Sequence, residues 1–434
     1  MDNIDQNFER EDVSASQAPV AAVKPFKRSR PREFRVSLSV SILCTLLACL
    51  FVFMGTFVTL SLQAERKINE AYARAGEYEK LLEVAEAYDK YYLYDVDFDQ
   101  TADTLAGMYG LAAGDRFSSY YTTEKWEEAL NVSKGNATGI GVYVVLNTDG
   151  NILVAHVMPN SPAERDGLMK GDIITAIDDK NVRALGFENA VDLVMGEVGT
   201  VVSFDVLRGS EQWEINVTRG KYDPQTVFAE TVTVEDNLYG YIQITEFEGT
   251  TPTQFISAVE KLTEMGAKGF VFDLRDNPGG YVDSVIAILD YLLPEGPIMH
   301  IKGVNNNETI NSDAQSIDLP MVVLVNGNTA SAAEMFTSAL KDYNKAEIVG
   351  VKTFGKGCGQ EGFFLSDGSV IYITTFLYDP PFSENYNGIG IMPDHSIEIA
   401  REWVNTNILL IPHEEDNQLG KAIDVLHINV KQSH

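Results

Sequence analysis

The chain has 434 residues, of which 45% are hydrophobic and 22% are charged, and its formal net charge is −30 at pH 7. A chain of this length can hold two or three folded domains. So strong a negative charge excludes a protein that binds nucleic acid through its phosphates. The three cysteines lie at positions 44, 49 and 358, and this spacing indicates no disulfide framework.

The amino-terminal part has the pattern of a basic tail followed by a membrane span. Residues 1–35 are polar and irregular, and six basic residues lie between Lys24 and Arg35 against one acid. Residues 36–62 carry no charge, and this run is longer than the about 20 residues that cross a bilayer. Basic flanks stay in the cytoplasm, so we expect a single-pass protein of the cell membrane in which everything after residue 62 is extracytoplasmic. A cleaved signal peptide is the alternative, but it needs a shorter apolar run.

Residues 63–135 have a helical pattern. The stretch from Lys67 to Tyr92 is rich in Glu, Ala, Leu and Lys, and Phe98 to Ala113 fits a further helix. The first of these helices is typical of a stalk that spaces a domain from the membrane. The later part, which ends in the run DRFSSYY, is expected to pack on the domains that follow.

Residues 136–220 predict a small β-rich domain. Gly139-Ile140-Gly141-Val142 opens a strand with a glycine-bounded loop, and the runs SPAERDGL and GDII follow it. These motifs resemble a PDZ domain, which accepts a peptide as an added strand while loop N–H groups hold the terminal carboxylate. The resemblance implies that Ile140, Gly141 and Val142 form that loop. A PDZ domain that only packs, with its groove filled, is the alternative.

Residues 221–404 alternate strands with helices, which is typical of an α/β core. The strand at 269–274 ends in the run DLRDNPGGYVDS, in which two glycines after a proline let the backbone approach a substrate closely. A tight turn between a strand and a helix is the simpler interpretation of this loop. Residues 405–434 form a carboxy-terminal segment with a helix at Asp416 to Leu426.

A serine and a lysine in the same core suggest a reaction centre. Ser331 lies between the apolar strand Met321 to Val325 and a helical pattern, so free N–H groups, beginning with that of Ala332, face any negative charge that develops there. Lys356 follows in the run KTFGKGCGQ. A lysine kept from water loses its preference for the charged form and can take a proton from a serine hydroxyl. Taken alone, such a pair is far more often a helix cap and a surface lysine.

The runs DLRDNPGG, NGNTASAAE and KTFGKGCGQ, in this chain order, resemble the carboxy-terminal processing (tail-specific) serine proteases. The resemblance covers residues 80 to 426. It implies that Ser331 is the nucleophile, that Lys356 is the general base and that Gln360 orients the lysine. It also assigns the N–H groups of Gly279 and Ala332 to the oxyanion hole, and it favours Lys356 over the nearby Lys352.

The family further implies α+β multidomain architecture, with a single transmembrane helix, an N-terminal helical region and a PDZ domain ahead of an α/β protease core. Its mechanism uses no metal and no organic cofactor. In relatives the N-terminal helices contribute to dimerisation, so a homodimer is consistent with the resemblance. Relatives often have an arginine where this chain has Met195, and Cys358 replaces a small residue.

Other mechanisms fit the sequence less well. The six histidines form no HExxH pair, and no GxSxG motif is present. Asp273 and Asp276 resemble an aspartic dyad in spacing, but the family match makes them loop scaffolding around Arg275. The function predicted is a serine endopeptidase that binds the C-terminal tail of protein substrates through its PDZ domain. It would act in extracytoplasmic processing, turnover or signalling. The alternative is a membrane-tethered PDZ scaffold whose protease core is inactive.

Overall fold

The computed structural model describes residues 37–133, 137–304, 307–404 and 406–432. The chain divides into two units, Met1–Val96 and Asp97–His434. The basic tail predicted at residues 1–35 lies outside the described residues.

The first unit contains two helices, α1 (Leu38–Glu77) and α2 (Glu79–Tyr91). Within α1, Thr45–Lys67 is the one stretch of the described chain that is long and apolar enough to cross a membrane. The sequence predicted a span at 36–62, whereas the helix runs on well past residue 62. It continues because the residues that follow are rich in Ala, Glu, Arg and Lys, which all favour helix.

The second unit begins with α3 (Phe98–Ala112), β1 (Ser119–Tyr121) and α4 (Thr123–Ser133). The side chain of Asp97 caps α3 by accepting the N–H of Gln100 at 2.9 Å. Strand β1 pairs antiparallel with a strand of the α/β core. Residues of the N-terminal helical region therefore form part of a core sheet.

The next elements make a PDZ-like sheet domain. They are β2 (Ala137–Gly139), β3 (Val142–Leu146), β4 (Ile152–Val157), α5 (Pro162–Asp166), β5 (Ile173–Ile177), β6 (Lys180–Asn181), α6 (Val182–Leu185), α7 (Phe187–Val194), β7 (Val201–Arg208), β8 (Glu211–Thr218) and β9 (Gly220–Tyr222). The main sheet has the order β3-β4-β5-β7-β8, with β6 paired to β5, so β3 is an edge strand. Its core is apolar and includes Ile152, Ile174 and Phe204. An exposed edge of this kind is what peptide addition requires.

The α/β core follows. Its elements are β10 (Val227–Val234), β11 (Asn237–Ile244), α8 (Thr251–Glu264), β12 (Phe270–Asp273), α9 (Val282–Leu292), β13 (Gly296–Gly303), β14 (Asn307–Ser312), β15 (Met321–Val325), α10 (Ala332–Asp342), β16 (Ala346–Gly350), β17 (Cys358–Phe364), β18 (Val370–Asp379), β19 (His395–Ser396) and α11 (Asn417–Gln432). Two 3-10 turns, Arg401–Trp403 and Ile408–Leu410, precede α11.

Two sheets organise this core. The first has the order β10-β11-β12-β15-β16-β19, antiparallel between β10 and β11 and parallel thereafter. Strand β15 is buried on both faces because alternate residues enter two apolar clusters: Val323 contacts the layer of α8, α9 and α10, and Val322 contacts the layer of α11. The second sheet has the order β1-β18-β13-β14, with β17 also paired to β18. The loops after β12, β15 and β16 leave the same edge of the parallel sheet, where α/β proteins form their sites.

Candidate active site

Ser331 occupies a strained turn between β15 and α10. Its backbone has φ 57° and ψ −122°, a conformation that side-chain-bearing residues rarely adopt. The turn is held by Thr329, whose hydroxyl donates to the carbonyl of Leu274 at 2.8 Å and accepts the N–H of Asn326 at 2.9 Å. Backbone strain that the surrounding contacts hold in place is typical of functional residues. Here it places the hydroxyl of Ser331 at the amino-terminal end of α10.

Glu334, one turn into α10, connects the serine to the loop that carries the lysine. Its Oε2 accepts the backbone N–H groups of Ser331 at 3.1 Å and of Lys356 at 2.7 Å. Its Oε1 accepts the hydroxyl of Thr353 at 2.5 Å and the N–H of Gly355 at 2.7 Å. The carboxylate is fully buried, and four donors fill its lone-pair positions. Glu334 therefore fixes the two backbones relative to each other.

Lys356 is half-buried beside the serine turn. Burial lowers the pKa of its amine, and the nearby Cys358 and Asp115 partly offset that effect. The amine lies 4.9 Å from the centre of the Phe117 ring. Among the described residues no hydrogen bond joins Lys356 Nζ to Ser331 Oγ, although both side chains line one cleft. The rival Lys352 is exposed.

Tyr378, on β18, contacts both Ser331 and the loop that carries Lys356. Its hydroxyl donates to the carbonyl of Lys356 at 2.6 Å and is 3.4 Å from Ser331 Oγ. Burial raises the pKa of this phenol above its usual value, so the side chain is a neutral donor at ordinary pH. It therefore ties the lysine loop to the second sheet.

Gln360, on β17, lies in the same cleft. Its amide Nε2 donates to Thr374 Oγ1 at 3.3 Å and approaches the sulfur of Cys358 at 3.8 Å. Cys358 is a buried free thiol whose pKa is raised by burial. Ser331, Lys356 and Gln360 thus line one cleft. Among the residues that the structure describes, no direct hydrogen bond joins any two of these side chains.

The glycines after β12 approach the serine closely. A Cβ on Gly279 would lie 2.7 Å from Ser331 Cβ and 3.0 Å from Ala332 N. The N–H of Gly279 itself donates to Asn277 Oδ1 at 2.8 Å. In the described part of the chain no hydrogen bond is recorded from the N–H of Gly280 or of Ala332. The N–H of Ala332, next to Ser331, and that of Gly280 therefore have unused donor capacity, and the assignment of Gly279 stays a prediction.

The cleft in front of Ser331 has a volume of about 1280 Å³. One part of its lining is apolar: it consists of Val282, Ile286, Met299, Ile301 and Ile310. Acidic side chains lie at another part, where confinement by the surrounding protein and the charge of Glu248 raise the pKa of Glu246 to about 7. A space of this kind fits an apolar side chain of an extended peptide.

In the PDZ domain, the predicted loop lies between β2 and the edge strand β3. Ile140 is buried and Gly141 has φ +76°, where a Cβ would lie 2.4 Å from Ser161 Cβ. No hydrogen bond from the N–H of Ile140 or Gly141 is recorded in the described residues. Met195 ends α7 with its sulfur near Gly139. The arginine nearby is Arg219, which donates to the carbonyls of Leu193 and Val194 at the end of α7.

The two aspartates after β12 have structural partners. Asp273 and Asp416 form buried ion pairs with Arg275 at 2.6 and 2.7 Å. Asp276 instead accepts the side-chain amides of Asn326 and Asn328 at 2.7 and 2.8 Å. The carboxylates thus hold the loops in place and connect them to α11.

Sequence reasoning missed four residues that contact this site. They are Asp115, Phe117, Glu334 and Tyr378. Glu334 had a detectable signal, because Ser331 and Glu334 have the S-x-x-E spacing of a helix capping box. The other three come close to the site only through the tertiary fold.

A PDZ-like domain followed by an α/β core, with a serine on a strained turn beside a half-buried lysine, defines a serine-type peptidase. The family model described as Peptidase family S41 matches residues 238–397, and that of the PDZ domain matches residues 153–208. The chain is 33% identical over 328 residues to a carboxyl-terminal-processing protease of Synechocystis, covering 73% of this chain and 75% of that one. It is 30% identical over 365 residues to a carboxy-terminal-processing protease of Bartonella bacilliformis, covering 80% and 82%.

A solved structure from Bacteroides fragilis described as an S41 protease shares this fold. Its TM-score is 0.55 at 18% identity, over 73% of this chain and 88% of that one. The chain belongs to peptidase family S41, among the carboxy-terminal-processing proteases, and it carries a PDZ domain.

Proposed function

We propose that this protein is a membrane-anchored endopeptidase that cleaves protein substrates through a Ser331–Lys356 dyad. The observation that carries the proposal is the joint placement of the two residues: one buried carboxylate, Glu334, holds both backbones at the edge of one cleft. Burial of the lysine, which favours its neutral form, supports the role of base.

In the proposed reaction the neutral amine of Lys356 takes the proton of Ser331 Oγ, which attacks the carbonyl carbon of the scissile bond. The side chain of Lys356 turns from the Phe117 ring toward the serine when substrate fills the cleft. The oxyanion accepts the N–H of Ala332 and a glycine N–H of the 279–280 pair. Lys356 then gives the proton to the leaving amine, and water hydrolyses the acyl-enzyme by the reverse proton path. Gln360 orients the lysine.

The PDZ domain recognises the substrate's C-terminal tail. The unused N–H groups of Ile140 and Gly141 bind its carboxylate, and the edge strand β3, which begins at Val142, accepts its backbone. The apolar lining of the catalytic cleft favours an apolar residue at the cleavage site.

The anchor is the apolar part of α1, with the basic tail in the cytoplasm and the peptidase outside the membrane. Extracytoplasmic processing, turnover or signalling is the corresponding role. A homodimer through the N-terminal helical region is also part of the proposal, because α3 exposes Leu105, Met108 and Leu111. Protease accessibility of the ectodomain in intact cells tests the topology, and sedimentation of the detergent-solubilised protein tests the dimer.

The Ser331→Ala variant tests the catalytic proposal. We expect it to bind a peptide with an apolar C-terminal tail as the wild type does but to lose cleavage of that peptide. Unchanged cleavage would overturn the proposal. If neither protein cleaves any tailed peptide while both bind it, the membrane-tethered PDZ scaffold with an inactive core is the correct function.

A further inference from the structure

Asp115, in the loop after α3, forms hydrogen bonds with Thr374 of β18. Its Oδ1 accepts the hydroxyl of Thr374 at 2.9 Å, and its Oδ2 accepts the N–H of the same residue at 2.9 Å. Its Oδ1 also accepts the N–H of Phe117 at 3.0 Å. Burial works to raise the pKa of Asp115, but these hydrogen bonds outweigh it and hold the pKa below its usual value. The carboxylate is therefore ionised and acts only as an acceptor.

The ionised state of Asp115 determines the direction of the hydrogen bond between Thr374 and Gln360. A hydroxyl has one proton, and Thr374 gives it to Asp115, so Thr374 can only accept from Gln360. The amide NH₂ of Gln360 must then face Thr374, as the 3.3 Å contact shows, and the sulfur of Cys358 takes the same side. The remaining end of the amide, Oε1, is the end left for an amine donor in the cleft.

Phe117 extends the same arrangement to the lysine. Its backbone is held by Asp115, and its ring lies 4.9 Å from Lys356 Nζ. Arg116 lies on the ring as well, 4.6 Å from its centre, and is 5.8 Å from the ring of Phe354. The 115–117 segment therefore covers the amine with an aromatic surface and keeps water from it.

We propose that Asp115 is a positioning residue for the peptidase reaction: through Thr374 it sets the orientation of the Gln360 amide, and through the backbone of Phe117 it holds the cover over Lys356. This inference rests on the proposed function, in which Lys356 is the base and Gln360 orients it. Neither Asp115 nor Thr374 lines the cleft in front of Ser331, so both act through other residues.

The charged and titratable groups around the amine determine how pH reports this role. They are Asp115 and Arg116 from the N-terminal segment, Glu334 from α10, Cys358 from β17 and Tyr378 from β18. Asp115 favours the charged form of Lys356. Removal of its charge lowers the pKa of the lysine, so the alkaline rise in rate moves to lower pH. Thr374→Val leaves the charge of Asp115 in place and should not move the midpoint, so the effect of the charge and the effect of the hydrogen-bond chain are measured separately.

The experiment measures kcat and KM against pH for the full chain in detergent, with a peptide that ends in an apolar tail. We expect Thr374→Val and Asp115→Asn each to lower kcat about 10-fold or more while KM changes less than about twofold. Thr374→Ser, which keeps the hydroxyl, restores the rate. Only Asp115→Asn moves the alkaline midpoint downward. The double variant is no slower than the slower single one, because both act in one chain.

The control is Asp367→Asn, at the turn of the same β17–β18 hairpin, where the carboxylate binds only the local Ser369. It is expected to leave kcat and the midpoint unchanged. Far-UV circular dichroism and peptide binding establish that each variant is folded. If Thr374→Val does not fold, the inference is judged from Thr374→Ser and Asp115→Asn. Rates within twofold of wild type for both single variants, or fully additive losses, would overturn the inference. Cleavage by Ser331→Ala would show instead that the proposed function had failed.

Discussion

Glu334 binds the backbone N–H of Lys356 at 2.7 Å with the same oxygen that accepts the N–H of Ser331. Two loops that follow different strands are thereby fixed at one point. Because the carboxylate is fully buried, its hydrogen bonds form in a low-dielectric setting where an unpaired partner is costly. The relative position of Ser331 and Lys356 thus depends on the carboxylate of Glu334.

The Glu334→Gln variant replaces one of the two acceptor oxygens of the carboxylate with an amide NH₂. An amide NH₂ must then face two donors, which leaves buried N–H or O–H groups unpaired. We expect kcat/KM to fall about 100-fold and the free energy of unfolding to drop by roughly 1–3 kcal/mol. Peptide cleavage and urea unfolding measure the two effects. The exposed Glu264→Gln at the end of α8 is the control, and equal behaviour of the two variants would contradict the role of Glu334.

The peptidase rate should rise with pH through the pKa of Lys356. In the proposed mechanism the base must be neutral to take the serine proton, and burial lowers the pKa of Lys356 from the usual 10.5, so the midpoint lies below that of a free lysine. Lys356→Arg should abolish the activity because arginine stays charged. Lys352→Ala, at an exposed lysine, should leave the profile unchanged. A rate independent of pH from neutral to strongly alkaline solution would exclude the dyad.

Gly279 has no room for a side chain beside the serine. In Gly279→Ala a Cβ would lie 2.7 Å from Ser331 Cβ, and the φ of +109° disfavours alanine as well. We expect kcat to fall about 100-fold or more while tail binding by the PDZ domain persists. Gly327→Ala is the matched control, since its nearest neighbour to an added Cβ is 4.0 Å away. Comparable kcat values for the two variants would mean that the 279–280 loop is not at the reaction centre.

Arg275 should be essential for stability. Its guanidinium pairs with the buried carboxylates of Asp273 and Asp416, so Arg275→Met leaves two uncompensated charges in the core. We expect the free energy of unfolding to fall by about 3–5 kcal/mol. Urea denaturation of the chain without α1 checks this. Arg165→Ala, which removes an exposed ion pair with Asp166, should leave the urea midpoint unchanged.

His156 makes the contact between the PDZ domain and the core sensitive to acid. The ring stacks on Phe228 at 3.8 Å, its Nε2 is buried without a partner in the described structure, and burial lowers its pKa from 6.5 to about 4. The unfolded chain therefore binds the proton more readily, so stability is complete above pH 6.5 and is lost as pH falls toward 4.

This loss is at most about 3 kcal/mol by the size of the shift. His156→Phe should remove that part of the pH dependence, as urea midpoints between pH 4 and pH 7 would show. His300→Phe, at a histidine elsewhere in the core, is the comparison and should retain it. An unaltered pH dependence in the His156 variant would contradict the assignment.

The sequence predicted the local features of this molecule well. The buried strand at Met321–Val325 and the glycine loop at Gly279 follow from hydrophobic runs and turn chemistry, which act over a few residues. The strained backbone of Ser331 and the Glu334 capping contact are also local, and the second had a visible spacing signal.

The surroundings of Lys356 could not be predicted in this way. Asp115 and Thr374 are 259 positions apart, and their hydrogen bonds depend on the pairing of β1 with β18. The resting position of the amine over Phe117 is set by the same pairing. Neither Asp115 nor Thr374 shows a local sequence pattern, because threonine in a strand and aspartate in a loop are common in any fold.

The pairing of β1 with β18 also determines where a recombinant fragment of this protease can begin. The S41 match covers only residues 238–397, and the PDZ match starts at residue 153. A clone designed on those boundaries would discard Asp115, Phe117 and a strand of the second sheet, leaving the free edge of β18 open to self-association. The smallest soluble version worth expressing starts ahead of Asp97, the cap of α3, and omits the apolar helix.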